Sequence, residues 1–248
     1  MPLPAKAFQH WLQVVAPTAS TADICRIAGI KRTTLAQQLV RGKVAETTLV
    51  SISRALHRSP LEDLSSFDSY GELAGRPRLP TAAELVSQIS TMDLLRSVIS
   101  RSAPAYGGYG DEGSSLTPAL VPPPHATSVR NWVDAIDDGE LRHRVSDATG
   151  VAPQNYSAQL TANRLSPELA VATARAARVG FTGGLVATGL ITEAEAGWAP
   201  QARQGALDAI SDGELTALAG ERLQSLGRTL RRQEQEHEQT KKIWENLG

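Results

Sequence analysis

The sequence predicts an all-α protein made of two related helical units, and three observations lead there. Alanine, leucine and arginine dominate while aromatic residues make up only 4%, a balance that favours helix over sheet. Apolar residues recur at spacings of three and four between residues that cap or break helices. The chain also repeats itself. Shifted by 121 positions, Trp11 falls on Trp132, Gly29 on Gly150, Gln38-Leu39 on Gln159-Leu160, Arg54-Ala55 on Arg175-Ala176 and Leu64 on Leu185. Farther on, Ile89-Ser90 falls on Ile210-Ser211, Leu94 on Leu215 and Arg101 on Arg222. Identities are sparse, but apolar positions, glycines and capping residues coincide over about 90 positions without an insertion.

The expected organisation is a first unit over residues 1–102, a linker over 103–127, a second unit over 128–222 and a charged helical tail over 223–248. Glycine, proline and serine fill APAYGGYGDEGSSLTPALVPPPHAT, so it reads as a linker. As a flexible coil it would span roughly 25–30 Å. The prolines at 122–124 would stiffen its end.

In the first unit, Ser20 and Asp23 form a capping-box pattern ahead of a short helix with Ile24, Ile27 and Ala28 on its apolar face. Gly29 interrupts that face, since glycine takes a left-handed turn at little cost. A second helix starts at Lys31 or Arg32, buries Leu35 and Leu39, presents Arg32, Thr33, Thr34 and Gln37 outward, and ends at Gly42. A third carries Leu49, Ile52, Ala55 and Leu56, and Ser59-Pro60 stops it. Short helix, glycine turn and helix with polar exposed residues is the order of a DNA-binding helix-turn-helix, whose second helix enters the major groove. Arg pairs with guanine and Gln with adenine, and this helix has both types. Arg26, Lys31, Arg32, Arg41, Lys43, Arg54 and Arg58 stand against only Asp23 and Glu46 between residues 20 and 60, a local excess suited to phosphate.

TADICRIAGIKRTTLAQQLVRGKVAETTLVSISRAL resembles the helix-turn-helix of Cro/CI-type (XRE-like) phage repressors. More narrowly, the unit resembles small immunity-repressor-like proteins of actinobacterial phages and prophages, here in tandem duplicate. The similarity covers residues 11–70 well and 132–196 more loosely. It implies that Arg32, Thr33 and Gln37 read bases and that Thr21 lies near a phosphate. The VRGK loop is one residue longer than the usual family pattern, so Arg41 and Lys43 are expected on phosphates.

The second unit keeps the glycine turn at Gly150, places Pro153 in the first turn of a helix, and sets Tyr156 and Leu160 where Leu35 and Leu39 stand. Its exposed positions differ: Arg32 becomes Pro153, Thr33 becomes Gln154 and Gln37 becomes Ala158. Gln154 and Asn155 could still read adenine. With Arg142, Gln159 and Arg164 they complete the candidate DNA-binding set, which in the first unit is Thr21, Lys31, Arg32, Thr33, Thr34, Gln37, Arg41 and Lys43. Between 131 and 180, five arginines face six carboxylates. The second unit is therefore either a weaker second reader of an asymmetric site, the favoured reading, or an assembly or partner-binding module.

Each unit is followed by a related segment, ELVSQISTMDLLRSVISR (84–101) and GALDAISDGELTALAGERL (205–223), which Ser90 with Asp93 and Ser211 with Glu214 divide into two helices. These segments either pack back on their own units or on each other. In the tail, Leu223, Leu226 and Leu230 give a short apolar stripe that dies in RRQEQEHEQ and returns at Ile243, Trp244 and Leu247.

Composition narrows the function. Charged residues at 21% and hydrophobic residues at 41% mark a folded chain, and a net charge of −1 argues against indiscriminate coating of nucleic acid. Cys25 is the only cysteine, and His10, His57, His125, His143 and His237 lie far apart without metal-ligand spacing. GGYGDEG (107–113) lacks the strand-to-helix setting of a phosphate loop. No catalytic residue, cofactor or metal is expected, and the chain is not expected to be an enzyme. With no signal peptide or apolar membrane span, a cytoplasmic, nucleoid-associated protein is expected, a monomer or a homodimer through its C-terminal helices. The partner expected is double-stranded DNA and the role transcriptional repression. An excision, partition or architectural factor and a helical protein-interaction module are the alternatives.

Overall fold

The computed structural model describes residues 2–75, 77–102 and 119–247, with 242–247 described by backbone only. The fold is all-α. Fourteen α-helices run in order through the described residues: α1 Ala5–Val15, α2 Thr21–Ile27, α3 Arg32–Val40, α4 Glu46–Ala55, α5 Pro60–Ser65, α6 Ala82–Ser87, α7 Thr91–Ser102, α8 Ser128–Ile136, α9 Leu141–Thr149, α10 Pro153–Thr161, α11 Pro167–Ala177, α12 Thr182–Ala187, α13 Ala202–Asp208 and α14 Asp212–Leu247. A 3₁₀ turn, Asp68–Leu73, follows α5. Two strands of two residues each, β1 Leu3–Pro4 and β2 Lys43–Val44, pair antiparallel with Leu3 opposite Val44. This ribbon was not anticipated from the sequence, because strands so short carry no periodicity.

The offset of 121 governs the backbone as well as the residues. It carries both ends of α3 onto both ends of α10, and the first residue of α4 onto the first of α11. Three positions with positive φ recur at the same offset: Gly29 and Gly150, Gly42 and Asn163, His57 and Arg178. Where the first copy bonds the Ala5 amide to the Gly42 carbonyl at 3.0 Å, the second uses the Asn163 side chain. Asn163 Oδ1 accepts from the Val129 amide at 3.0 Å, and Nδ2 donates to the His125 carbonyl at 3.1 Å.

The chain divides into two compact units whose boundaries cut across the copies: Met1–Gln88 with Pro122–Arg203, and Ile89–Val121 with Gln204–Gly248. The first unit holds α1–α6 and α8–α12. Its buried residues form one continuous cluster running from Leu3, Phe8 and Leu49 in the first copy to Val133, Tyr156 and Leu185 in the second. Two helical modules tethered by a coil were expected. Instead the modules share a core, so packing rather than linker length sets their separation. Much of the expected linker, including GGYGDEG, lies outside the described residues. Its end, Pro122–Thr127, belongs to the first unit.

Named contacts fasten copy to copy. Glu84 of α6, fully buried, closes the capping box of α6 with Thr81 and accepts from the Trp132 indole N–H of α8 at 3.2 Å. Gly183 and Gly184 of α12 let that helix lie against the same indole, since a Cβ on Gly184 would meet Trp132 Cη2 at 2.6 Å. Arg54 of α4 grips Glu195 at 2.6 and 2.7 Å. Arg175 of α11 grips Glu72 of the 3₁₀ turn.

The second unit settles where α7 and the second trailing segment go: they pack on each other, while α6 stays in the first unit. Ile89 and Leu94 of the first join Leu207, Leu215 and Ala219 of the second in a small core. Arg101 donates to the carbonyls of Leu207 and Ile210 at 2.8 and 2.7 Å. Ser90 and Ser211 cap α7 and α14, as their spacing predicts. The tail is not a separate helix but the continuation of α14, with Leu223 and Leu230 exposed. The side chains of Ile243, Trp244 and Leu247 lie outside the described residues.

Two local expectations change. Ser59-Pro60 does not merely stop α4, which already ends at Ala55. Ser59 caps α5 and Pro60 opens it, where a missing N–H costs nothing. At α2, Ser20 Oγ accepts from the Asp23 amide at 3.1 Å, but Asp23 accepts from the Ser20 hydroxyl rather than from its amide, so the box closes through side chains.

Candidate nucleic-acid interface

α2 and α3 are held from beneath by a few buried residues. Ile24 and Cys25 anchor α2, and Leu35, 1% exposed, anchors α3. Burial pushes the Cys25 thiol up, which keeps it protonated and unreactive. Between the helices the chain turns through Gly29 at φ +66, and the Ile30 amide returns to the Cys25 carbonyl at 2.9 Å. Lys31 is the extended residue before α3. After α3, Gln38 turns inward and accepts from the Thr48 hydroxyl at 3.0 Å and the Ala45 amide at 3.3 Å, fixing the loop that carries Arg41 and Lys43.

All eight candidate residues of the first copy, Thr21, Lys31, Arg32, Thr33, Thr34, Gln37, Arg41 and Lys43, are exposed. The local basic excess sorts itself in space. Arg26 pairs with Asp23 at 3.3 Å, Arg54 with Glu195 and Arg58 with Asp63 at 2.7 Å. Ser20 and then Arg26 hold the Asp23 carboxyl below the usual range. Lys31, Arg32, Arg41 and Lys43 make no ion pair among the described residues. Four uncompensated cations thus flank both ends of α3. Between them, Thr33, Ala36, Gln37 and Val40 follow the helical period along one exposed face. Val40, 89% exposed, belongs to that face and was overlooked. Its spacing of seven from Thr33 was the available signal.

In the second copy, Leu141 and Val145 anchor α9, and Tyr156 and Leu160 anchor α10 as expected. The Tyr156 hydroxyl meets Thr173 Oγ1 at 3.0 Å. Gln154, Asn155 and Arg164 are exposed while Gln159 is half-buried. Charge is arranged differently here. Arg142 lies 3.6 Å from Asp134 and 3.5 Å from Asp137, Arg130 lies 3.5 Å from Asp134, and Arg144 pairs with Asp138 at 3.0 Å. Arg144 holds the Asp138 carboxyl below its usual range. Among the candidate cations of this copy, only Arg164 makes no ion pair with a described residue.

The described residues contain no cluster of His, Cys, Asp and Glu suited to a metal ion, and no described helix is long and apolar enough to cross a membrane. No protein-family model, curated protein or solved structure matches the chain.

Proposed function

We propose that this chain binds double-stranded DNA sequence-specifically and acts as a phage-type transcriptional repressor, with α2–α3 as its helix-turn-helix. The observation that carries this reading is the set of four uncompensated cations, Lys31, Arg32, Arg41 and Lys43, around an exposed α3 face bearing Thr33 and Gln37. Such a rim suits phosphates, and Arg32 and Gln37 offer the donors that base edges accept. The second copy presents Gln154 and Asn155 on the matching helix and reads the other part of an asymmetric site. With little free positive charge of its own, it contributes less affinity.

A second reading has one observation behind it. Because Arg130, Arg142 and Arg144 are neutralised by Asp134, Asp137 and Asp138, the second copy is also suited to a protein surface. Since both copies share one core, point variants in the whole chain test the reading better than isolated halves. DNA is selected from a random pool with the wild type and with Arg32→Ala, Gln37→Ala and Gln154→Ala. Loss of preference at distinct positions of one composite motif supports two readers, and a motif untouched by Gln154→Ala leaves the second copy to assembly. In the double variant Arg41→Ala, Lys43→Ala, the slope of log affinity against log salt should fall by about 2. No enrichment of any DNA would sink the proposal. A promoter beside the selected site, silenced by the chain and released by Arg32→Ala, separates repression from an excision, partition or architectural role.

A further inference from the structure

We propose that a cavity in the first compact unit binds a small organic anion, a carboxylate carried on an apolar body. This goes beyond DNA binding and does not depend on it. The cavity, about 300 Å³, lies where Glu72, Leu73 and Ala74 at the end of the 3₁₀ turn, with Pro77 and Arg78 beyond it, meet the end of α11 and the start of α12. One wall comes from each copy. They approach closely: a Cβ on Gly180 would stand 2.7 Å from the Arg78 carbonyl oxygen.

The lining has two characters. Leu73, Val179 and Phe181 supply an apolar wall. Arg78, Arg175 and Arg178 supply three guanidinium groups against the single carboxylate of Glu72. Glu72 is already engaged by Arg175, with Nε at 3.0 and 2.9 Å from its two oxygens. Arg78 donates once, from Nη1 to the Arg178 carbonyl at 2.8 Å. Neither Arg78 nor Arg178 makes an ion pair among the described residues, and Arg178 is held at φ +57 on the rim. Two uncompensated positive charges therefore remain beside an apolar surface. A guanidinium presents a planar fork that matches a carboxylate. The volume equals about ten water molecules, room for an anion of roughly ten non-hydrogen atoms. A bare inorganic anion would leave the apolar wall wet, and a neutral apolar molecule would leave the charges unanswered.

The test follows amide NMR shifts of the whole labelled chain during titration with phenylacetate, with 2-phenylethanol and inorganic phosphate as comparison probes. Saturable shifts centred on residues 179–182 are expected, with phenylacetate binding about tenfold tighter than either comparison probe. Arg178→Gln, which replaces an exposed guanidinium with a neutral amide, should weaken phenylacetate about tenfold while circular dichroism and Tm stay unchanged. Arg78→Gln should weaken phenylacetate by a similar factor, with a small fall in Tm from the lost hydrogen bond to the Arg178 carbonyl, and serves as the second variant if Arg178→Gln fails to fold. The proposal is overturned by the absence of saturable shifts, by equal binding of 2-phenylethanol or phosphate, or by folded variants that bind phenylacetate like the wild type.

Discussion

Replacing Gly184 with alanine sets two effects of opposite sign against each other. Within a helix, alanine is better than glycine by about 1 kcal/mol, so propensity alone predicts a gain. Packing opposes it. The new Cβ would stand 2.6 Å from Trp132 Cη2, 2.9 Å from Cζ3 and 3.0 Å from the Ala170 Cβ. Carbon atoms rest at about 3.5–4.0 Å, so the methyl overlaps the indole by about 1 Å. Trp132 is fully buried and its N–H is held by Glu84, so the ring has nowhere to go. Overpacking of a core costs about 1–3 kcal/mol, and two contacts against a pinned ring with a third against Ala170 put this case near the upper end. The expected net loss is about 2 kcal/mol. Urea unfolding of the whole chain, followed by circular dichroism, measures it. Gly220→Ala, at an exposed position of α14 with open space around it, is the control and should gain up to about 1 kcal/mol. Trp132→Phe removes the atoms that clash, so the double variant should be more stable than the sum of the single changes by about 1–2 kcal/mol. A Gly184→Ala variant as stable as the wild type, or strict additivity with Trp132→Phe, would refute the packing argument.

Acid should weaken the joint between the copies. Glu72 and Glu195 are each held below the ordinary glutamate range, chiefly by a hydrogen bond from Arg175 and Arg54 respectively. A carboxylate with a depressed folded-state value adds stability above its unfolded value and loses it as pH falls through the folded one. Tm should therefore stay flat down to about pH 5 and drop below roughly pH 4.3, less steeply in Glu195→Gln. Asp134→Asn with Asp137→Asn frees Arg142 and Arg130, so affinity for random-sequence DNA should rise and its salt slope should steepen by about 2 in a filter-binding or anisotropy assay. Gly29→Ala and Gly150→Ala, at φ +66 and +70 with nothing near the added carbon, should each cost about 1 kcal/mol in chemical unfolding, the price of a left-handed residue alone. A much larger loss at one turn than at the other would show that the two turns are not equivalent.

The helices were legible because their signals are local. Leu35 and Leu39, and Tyr156 and Leu160, announce the buried sides of α3 and α10 by their spacing, and Ser90 and Ser211 announce the starts of α7 and α14 three residues ahead of their acidic partners. The exposed candidates of the first copy were legible for the same reason, since a helix with one buried stripe must present the opposite side. Val40 escaped because an apolar residue on an outward face resembles a core residue until the register of the helix is known. The β1–β2 ribbon escaped because its pairing joins Leu3 to Val44 across the whole of α1–α3.

What the sequence by itself determined is the all-α class, most helix boundaries and the repeat at an offset of 121, for each depends on contacts within a turn or two of the chain. Only the tertiary structure decided which charges remain available. Arg54 is neutralised by Glu195, 141 positions away, and Arg175 by Glu72, 103 positions away, while Lys31, Arg32, Arg41 and Lys43 meet no described carboxylate. A count of basic residues along the chain treats these alike. Only the tertiary structure decided, too, that the copies share a core. An apolar stripe specifies that it must be buried, but the hydrophobic effect has no direction, and the surface that buries it is chosen by the whole fold.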